Sequence, residues 1–277
     1  MSNYQHQYGF IGMGNMGFAI LNGLLGKTSP KQITFYERFK ERMEDVSART
    51  DIIPSQSIAE CVKTSSYVVM AVKPQQYDAA IAELREAIAE DQIIISIAPG
   101  ITIADLSGRI GKPCRIVRAM PNTPALVGMG MTGVAYDTSL FDEEEKEVIR
   151  SFFESFGRME VVDEKLMDAV VCASGSSPAY VYMFIEALAD SAVKYGMPRA
   201  MAYEMVAQTV MGSAKMVLET GEHPGKLKDQ VCSPGGTTIA GVAALEEHGM
   251  RNSLIKATDA CYAKCTNIAT VKVLNSY

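Results

Sequence analysis

The first half of the chain alternates short apolar runs with longer segments in which apolar residues recur at helical spacing. The first apolar runs are Tyr8–Ile11, Ile33–Tyr36, Tyr67–Val72 and Ile93–Ile97, and helical patterns separate them. Strands that alternate with helices are typical of a parallel sheet with helices on both faces. Because crossover connections between parallel strands are right-handed, this alternation predicts a doubly wound α/β fold with a mostly parallel sheet.

The pattern changes after about Asp163. Three further strand candidates, Ile116–Arg118, Gly133–Tyr136 and Met159–Val162, precede this point, and strand-like runs then disappear. From Leu166 to Val273, apolar residues recur at helical spacing between Gly- and Pro-containing breaks, which predicts about five or six helices. We therefore predict an α/β domain over residues 1–163 and an all-α domain over residues 164–277.

The helical half carries more apolar surface than one small bundle can bury. Segments such as Ala187-Leu188-Ala189 and Val210-Met211 are apolar over consecutive residues, so that more than one face of the helix is apolar. Large apolar faces commonly mark contacts between subunits. The sequence therefore predicts a homodimer formed through the helical domain, or an assembly of such dimers.

Composition excludes several classes of partner. With 26 basic and 32 acidic residues the chain is mildly acidic, which argues against nucleic acid and anionic membrane as partners. We find no apolar run near the length of about 18 residues that spans a bilayer. The 6 cysteines form no C-x-x-C pair and indicate a reduced, cytoplasmic protein. The 3 histidines are scattered, so we expect no metal site.

A glycine-rich motif, Gly12-Met13-Gly14-Asn15-Met16-Gly17, follows the first predicted strand and opens the first predicted helix. In this context the pattern G-x-G-x-x-G is typical of a Rossmann dinucleotide-binding loop. Its first glycine permits the tight turn, its second the close approach of the pyrophosphate, and its third close helix–strand packing. The candidate cofactor-binding residues here are Gly12, Met13, Gly14, Asn15 and Met16.

The end of the second strand carries two opposed signals for the cofactor. Glu37 is typical of a residue that binds the ribose hydroxyls of NAD, whereas Arg38 is typical of one that binds the 2′-phosphate of NADP. Lys40 and Arg42 follow and also favour a phosphate. We predict that NADP(H) is preferred, with Arg38 as its ligand, and leave NAD(H) open.

Two proline-containing loops follow later strands at the carboxyl edge of the sheet, where ligands of such folds bind. Ala71-Val72-Lys73-Pro74 leaves the third strand extended, because proline disfavours the helical conformation of the residue before it. Asn122-Thr123 lies between two prolines in a rigid loop suited to line a nicotinamide pocket. We add Ala71, Val72, Lys73, Pro74, Asn122 and Thr123 to the candidate cofactor-binding residues.

The segment Ser233-Pro234-Gly235-Gly236-Thr237-Thr238 is a second anion-binding candidate. A Gly-Gly turn that runs into a helix leaves backbone N–H groups accessible, which suits a small carboxylate. The hydroxyls of Thr237 and Thr238 lie next to these groups and can orient the rest of the ligand. Together with the nucleotide motif, this segment indicates a reductase that acts on a small carboxylated substrate.

Taken together, these motifs resemble the pyrroline-5-carboxylate reductase family over nearly the whole chain. The most specific are Ser233–Thr238 and the segment His223–Asp229. The resemblance implies an N-terminal Rossmann domain, a C-terminal helical dimerisation domain, and NAD(P)H-dependent reduction of the cyclic imine 1-pyrroline-5-carboxylate to L-proline, the last step of proline biosynthesis. It also implies that the loop holds the substrate carboxylate through Ser233, Gly235, Gly236 and Thr237, and that the Thr238 hydroxyl meets the ring nitrogen as the catalytic group.

Two alternatives remain at this point. A β-hydroxyacid dehydrogenase also joins a Rossmann domain to helices, but it needs a lysine shortly after a Gly-rich helix start, and the first lysine after Gly175 is Lys194. A protein that senses NADP without catalysis is the second alternative, and the Ser233–Thr238 loop argues against it. Reduction of an imine also fits the lack of a convincing acid–base histidine, because the imine nitrogen can arrive protonated.

Overall fold

The computed structural model describes residues 4–274, and the side chains up to Thr266. Residues 1–3 and 275–277, the ends of the two predicted domains, lie outside the described residues. The chain divides into two compact units, Met1–Ser176 together with the terminal segment Tyr262–Tyr277, and Ser177–Cys261. Among the described residues, we find no helix with the length and apolar character needed to cross a membrane.

The first unit contains a 7-stranded sheet in the order β2-β1-β3-β4-β5-β6-β7. Neighbouring strands are parallel except β5 and β6, which are antiparallel. On β1, Tyr8 is level with Ile33 of β2 and with Tyr67 of β3. The predicted mostly parallel, doubly wound sheet is therefore confirmed. The strands are β1 His6–Ile11, β2 Ile33–Tyr36, β3 Ser65–Met70, β4 Ile93–Ser96, β5 Arg115–Met120, β6 Gly130–Ala135 and β7 Gly157–Val161.

Alternate residues of the strands enter separate apolar cores on the two faces of the sheet. On β3, Val69 packs in one core with residues of α1, α2 and α6, while Val68 packs in the other with residues of α3, α4 and α5. The burial of both faces explains why the central strands are apolar runs rather than alternating ones. The helices are α1 Asn15–Leu25, α2 Lys40–Thr50, α3 Ile58–Lys63, α4 Tyr77–Ala87, α5 Ile103–Ile110 and α6 Glu143–Phe153.

Helix α5 connects β4 to β5. Thr102 caps its start by accepting a hydrogen bond from the N–H of Asp105 at 3.0 Å, and Leu106 and Ile110 are its buried residues. The helix is only 8 residues long, so it presents a single short apolar stripe. A short amphipathic helix of this kind gives a weak periodic signal.

Helices account for the second half of the chain, as predicted. The short helix α7, Met167–Val170, leads through a π-helical turn, Val171–Gly175, into the long helix α8. The remaining helices are α8 Ser177–Lys194, α9 Arg199–Thr220, α10 Pro224–Val231, α11 Thr237–Glu247 and α12 Met250–Leu274. The predicted fold class, a Rossmann-type domain followed by an all-α domain, is confirmed.

The second unit buries little of its own surface. Within residues 177–261, all of which the structure describes, only Ala189 and Ala202 are buried. Between α8 and α9 runs an apolar groove of about 460 Å³, lined by Phe184, Leu188 and Met205 among others. Leu188 is 45% exposed and Met205 53% exposed within this chain.

Candidate functional site

A cavity of about 530 Å³ opens at the carboxyl ends of β1, β2 and β3. The order of the sheet reverses between β1 and β3, because the chain proceeds outward from β1 to β2 and then returns to the other side. Open α/β sheets bind their ligands at such a switch point. The lining includes the glycine loop after β1, the end of β2, the loop after β3, and residues Ile58, Gln76, Ala79, Ala80 and Glu83.

The glycine loop has a geometry that larger residues would disrupt. Gly12 has φ +97°, and a Cβ there would lie 2.8 Å from Cγ1 of Val72. A Cβ at Gly17 would lie 2.6 Å from the carbonyl oxygen of Gly12. At Gly14, by contrast, a Cβ would have no described atom within 4 Å. The loop is therefore tightly packed on the protein side and open on the side of the cavity.

The glycine loop leads directly into α1, whose N-cap residue is Gly14. Among the described residues, no side chain caps this helix start by a hydrogen bond. An uncapped helix N-terminus offers backbone N–H groups and the positive end of the helix dipole to an anion. With the open space at Gly14, this arrangement fits the pyrophosphate of a dinucleotide.

Glu37 lies at the end of β2 and binds backbone, with only 8% of its surface exposed. Its Oε2 accepts a hydrogen bond from the N–H of Met13 at 2.8 Å, and its Oε1 accepts one from the N–H of Phe39 at 3.1 Å. Hydrogen bonds to a charged acceptor are among the stronger ones in proteins. Glu37 thus fastens the glycine loop to the end of β2.

Arg42 holds the same loop residue from the other side. Its Nε donates to the carbonyl oxygen of Met13 at 2.9 Å, and its terminal nitrogen NH1 donates to Asp45 at 2.9 Å. Its guanidinium also lies 4.9 Å from the ring centre of Phe18. Both backbone polar groups of Met13 are therefore bound by side chains, one from Glu37 and one from Arg42.

Arg38 also lines the cavity, and its side chain is exposed. Its guanidinium lies 4.4 Å from the ring centre of Phe39. When the Gln76 amide is oriented to satisfy its neighbours, its oxygen accepts hydrogen bonds from both terminal nitrogens of Arg38 at 3.2 Å. Lys40 pairs with Glu44 at 3.7 Å on an exposed helix face and is not among the lining residues.

The structure brings together part of the predicted cofactor site. Seven of the candidates line the cavity, namely Gly12, Met13, Gly14, Arg38, Ala71, Val72 and Lys73. The other predicted cofactor residues, Asn15, Met16, Pro74, Asn122 and Thr123, are not among the described residues that line it. Asn15 and Met16 belong to the first turn of α1, and Pro74 opens a 3₁₀ turn after Lys73.

The side chain of Asn122 is occupied by backbone groups. Its Oδ1 accepts from the N–H of Met131 at 2.9 Å, and its Nδ2 donates to the carbonyl oxygen of Ser174 at 3.0 Å. In a regular helix that carbonyl would accept from residue 178, but Pro178 has no N–H. Asn122 therefore supplies the donor that the proline lacks and ties the π-helical turn to the sheet.

The predicted substrate loop belongs to the second unit. Gly235 has φ +68°, and the N–H of Gly236 donates to the carbonyl oxygen of Ser233 at 3.0 Å. A Cβ at Gly236 would overlap Oγ of Ser233. Gly236 is the N-cap of α11, and no side chain among the described residues caps that helix start by a hydrogen bond. Thr237 and Thr238, in its first turn, are exposed.

Sequence reasoning missed two features of the cavity. One is that both carboxylate oxygens of Glu37 accept hydrogen bonds from backbone N–H groups. The other is that Gln76 lines the cavity. A signal for Gln76 was present, because it follows Pro74 in the loop after the third strand, at the edge where the ligand was expected. We find no cluster of three His, Cys, Asp or Glu side chains in the described part of the chain that could hold a metal ion.

Two family models match the chain. The model for pyrroline-5-carboxylate reductase dimerisation matches residues 164–268, and the model for NADP oxidoreductase, coenzyme F420-dependent, matches residues 7–100. Neither model describes a β-hydroxyacid dehydrogenase. The matched ranges correspond to the helical half of the chain and to the part of the sheet that surrounds the cavity.

Individual relatives of the chain belong to the same family as the dimerisation model. Pyrroline-5-carboxylate reductase of Escherichia coli strain K12 is 46% identical over 267 residues, which cover 96% of this chain and 99% of that protein. A solved pyrroline-5-carboxylate reductase from Coxiella burnetii has a TM-score of 0.87 and 32% identity, covering 96% of this chain and 99% of that one. The Plasmodium falciparum enzyme, solved with NADP bound, has a TM-score of 0.85 and 30% identity, covering 96% and 100%. The chain therefore belongs to the pyrroline-5-carboxylate reductase family.

Proposed function

We propose that this protein reduces 1-pyrroline-5-carboxylate to L-proline with NADPH as the preferred reductant, with NADH as a possible second one. The observation that carries this proposal is the loop before α11. Its glycines, Gly235 and Gly236, lead into a helix start that no described side chain caps by a hydrogen bond, beside exposed Thr237 and Thr238. Such a start suits a small carboxylate, and the adjacent hydroxyls suit a polar ring atom.

The residues of the first unit fit a dinucleotide. The open space at Gly14 and the uncapped start of α1 suit the pyrophosphate, and Arg38 suits a 2′-phosphate. The structure of the Plasmodium falciparum relative with NADP bound supports the same cofactor here. When bound, NADPH supplies a hydride to the imine carbon. We propose that Gly12, Met13, Gly14, Ala71, Val72 and Lys73 hold it, with Asn15, Met16 and Pro74 in supporting positions and Asn122 and Thr123 near the nicotinamide.

The chain contributes mainly binding and orientation to this reaction. We propose that Ser233 and the backbone N–H groups of Gly235, Gly236 and Thr237 hold the substrate carboxylate, and that the Thr238 hydroxyl bonds the ring nitrogen. A protonated imine already carries a proton on its ring nitrogen. The nitrogen keeps this proton when the hydride adds to the neighbouring carbon. A hydroxyl that orients the ring is then sufficient, since holding two reactants in a reactive pose removes a large part of the barrier.

The assembly and the division of labour belong to the same proposal. The exposed apolar faces of α8 and α9, together with the match to a dimerisation family, support a homodimer formed through the helical half. We propose that residues 1–163 bind the cofactor and that residues 164–277 bind the substrate and dimerise. The spacing of the cysteines, which includes no C-x-x-C pair, supports a cytoplasmic location.

The test compares NADPH and NADH side by side in a turnover assay with purified protein and the imine. Oxidation of either cofactor should depend on the imine, and NADPH should give the higher kcat/KM. A protein that binds the cofactor but oxidises neither one when the imine is added would be a sensor rather than a reductase, and the proposal would be wrong.

A further inference from the structure

The charged side chains of Glu37, Arg38, Lys40 and Arg42, at and after the end of β2, differ in whether a protein group already binds their charge. Glu37 has both oxygens on backbone N–H groups, and Arg42 is engaged with the carbonyl of Met13 and with Asp45. Lys40 is paired with Glu44. Among the ion pairs of the described residues Arg38 has no carboxylate partner, so its charge remains available to an anion.

We propose that Gln76 is the positioning residue that makes the protein select a 2′-phosphate, because it orients Arg38 without neutralising it. This inference rests on the proposed NADP(H)-dependent function and names the residue behind its cofactor preference. With the Gln76 amide oriented to satisfy its neighbours, its neutral oxygen accepts from both terminal nitrogens of the Arg38 guanidinium at 3.2 Å. A carboxylate in that place would hold Arg38 equally well but cancel its charge.

Pre-orientation matters here because Arg38 is exposed and its side chain is long. A free arginine loses up to about 2 kcal/mol of conformational freedom when it is fixed by a ligand. In this protein the ring of Phe39 and the amide of Gln76 restrict it in advance. Arg38 therefore loses part of its conformational entropy when the protein folds. Less entropy remains to be lost when the ligand binds.

Glu37 does not repel the 2′-phosphate, although its position at the end of the second strand predicts that it would. An acidic residue there usually binds the ribose hydroxyls and repels a 2′-phosphate. Here its two oxygens hold the N–H groups of Met13 and Phe39, and the residue is nearly buried. We assign Glu37 to the shape of the glycine loop, which serves NADP and NAD alike.

The experiment measures binding of NADP⁺, NAD⁺ and 2′,5′-ADP by calorimetry for Gln76→Ala, Gln76→Glu and the neighbouring control Gln75→Ala. Gln75 is exposed and is not among the cavity-lining residues. Gln76→Ala should weaken NADP⁺ and 2′,5′-ADP by about three- to tenfold, because Arg38 loses part of its pre-orientation, and should leave NAD⁺ within about twofold. Gln76→Glu should weaken the two phosphorylated ligands more, and Gln75→Ala should change nothing.

A double-mutant cycle with Arg38→Ala separates positioning from a general structural effect. In the Arg38→Ala background, Gln76→Ala should have no further effect on NADP⁺ binding. An effect of the same size in that background, or equal weakening of NAD⁺ and NADP⁺ by Gln76→Ala, would overturn the proposal. These measurements contain no imine, so a failure of the reductase activity is detected separately, by absence of turnover in the wild-type protein.

Discussion

The two glycine-rich loops of this molecule both open a helix whose start no described side chain caps, yet they are held in different ways. Before α1, the backbone of Met13 is fixed by the nearly buried Glu37 and by Arg42, and Gly17 packs against Gly12. Before α11, the loop is held by its own turn between Ser233 and Gly236, and Thr237 and Thr238 after it are exposed. The first loop is shaped by distant parts of its unit and the second by its local sequence.

The two units also differ in how much apolar surface they bury. The first has apolar cores on both faces of its sheet, whereas the second leaves large apolar residues such as Met183 and Leu188 68% and 45% exposed. A unit with little core of its own depends on additional burial for stability. The cavity at the carboxyl ends of β1, β2 and β3 is therefore formed within one chain, whereas the helical half exposes apolar surface that a second copy can bury.

The largest effect should follow from a charge placed in the groove of the helical unit. We expect Leu188→Glu to destabilise the dimer by about 3 kcal/mol or more, because it buries an unpaired carboxylate at the proposed interface. Light scattering at micromolar concentration should show a shift to monomer. Gln208→Glu, on α9 but outside the groove lining, adds the same charge and should leave the dimer intact. A Leu188→Glu protein that stays fully dimeric would place the interface elsewhere.

The next effect concerns Thr238. Thr238→Ala should lower kcat/KM by about ten- to a thousandfold with cofactor binding nearly unchanged, if the hydroxyl bond is made mainly in the transition state. Thr238→Ser retains the hydroxyl and should keep much of the activity. The competing explanation gives Thr238 only a structural role in the first turn of α11. A Thr238→Ala enzyme that melts lower but turns over normally would favour that explanation.

A smaller effect is expected for Arg38. Loss of a charge-assisted hydrogen bond costs about 1.5–3 kcal/mol of binding free energy. Arg38→Ala should therefore raise the dissociation constant of NADPH about ten- to a hundredfold. NADH should be affected little. Equal effects on the two cofactors would mean that Arg38 supports the shape of the cavity rather than a 2′-phosphate.

The smallest effect is expected for Asn122. Asn122→Ala leaves the Met131 N–H and the Ser174 carbonyl without their partner, which should destabilise the protein by about 1–3 kcal/mol. A lower melting temperature with an unchanged dissociation constant for NADP⁺ would show that Asn122 stabilises the π-helical turn. A normal melting temperature with weakened cofactor binding would instead support its predicted place near the nicotinamide.

The sheet and the glycine loop were predictable because their signals are local. The run Tyr8–Ile11 and the glycines after it lie within a few residues of one another, and their spacing alone fixes strand, turn and helix. The same is true of the Ser233–Thr238 turn. The doubly wound form of the sheet followed from the right-handed crossovers between parallel strands.

The roles of Glu37 and Asn122 were not predictable, because their partners are distant in sequence. Glu37 binds Met13, which lies 24 residues away, and Asn122 binds Ser174, which lies 52 residues away. A polar residue at the edge of the sheet has the same sequence signature whether it meets a ligand or a backbone group. Only the fold shows which of these it does.

The most direct test of the central claim is to follow the transferred hydride. Purified protein is incubated with 1-pyrroline-5-carboxylate and NADPH that carries deuterium at the transferable position, and the product is analysed by chiral chromatography and mass spectrometry. The expected product is L-proline with one deuterium on the ring CH2 next to nitrogen, the former imine carbon, and none on the carbon that carries the carboxylate. Absence of labelled proline above background, with the cofactor bound and the protein folded, would contradict it.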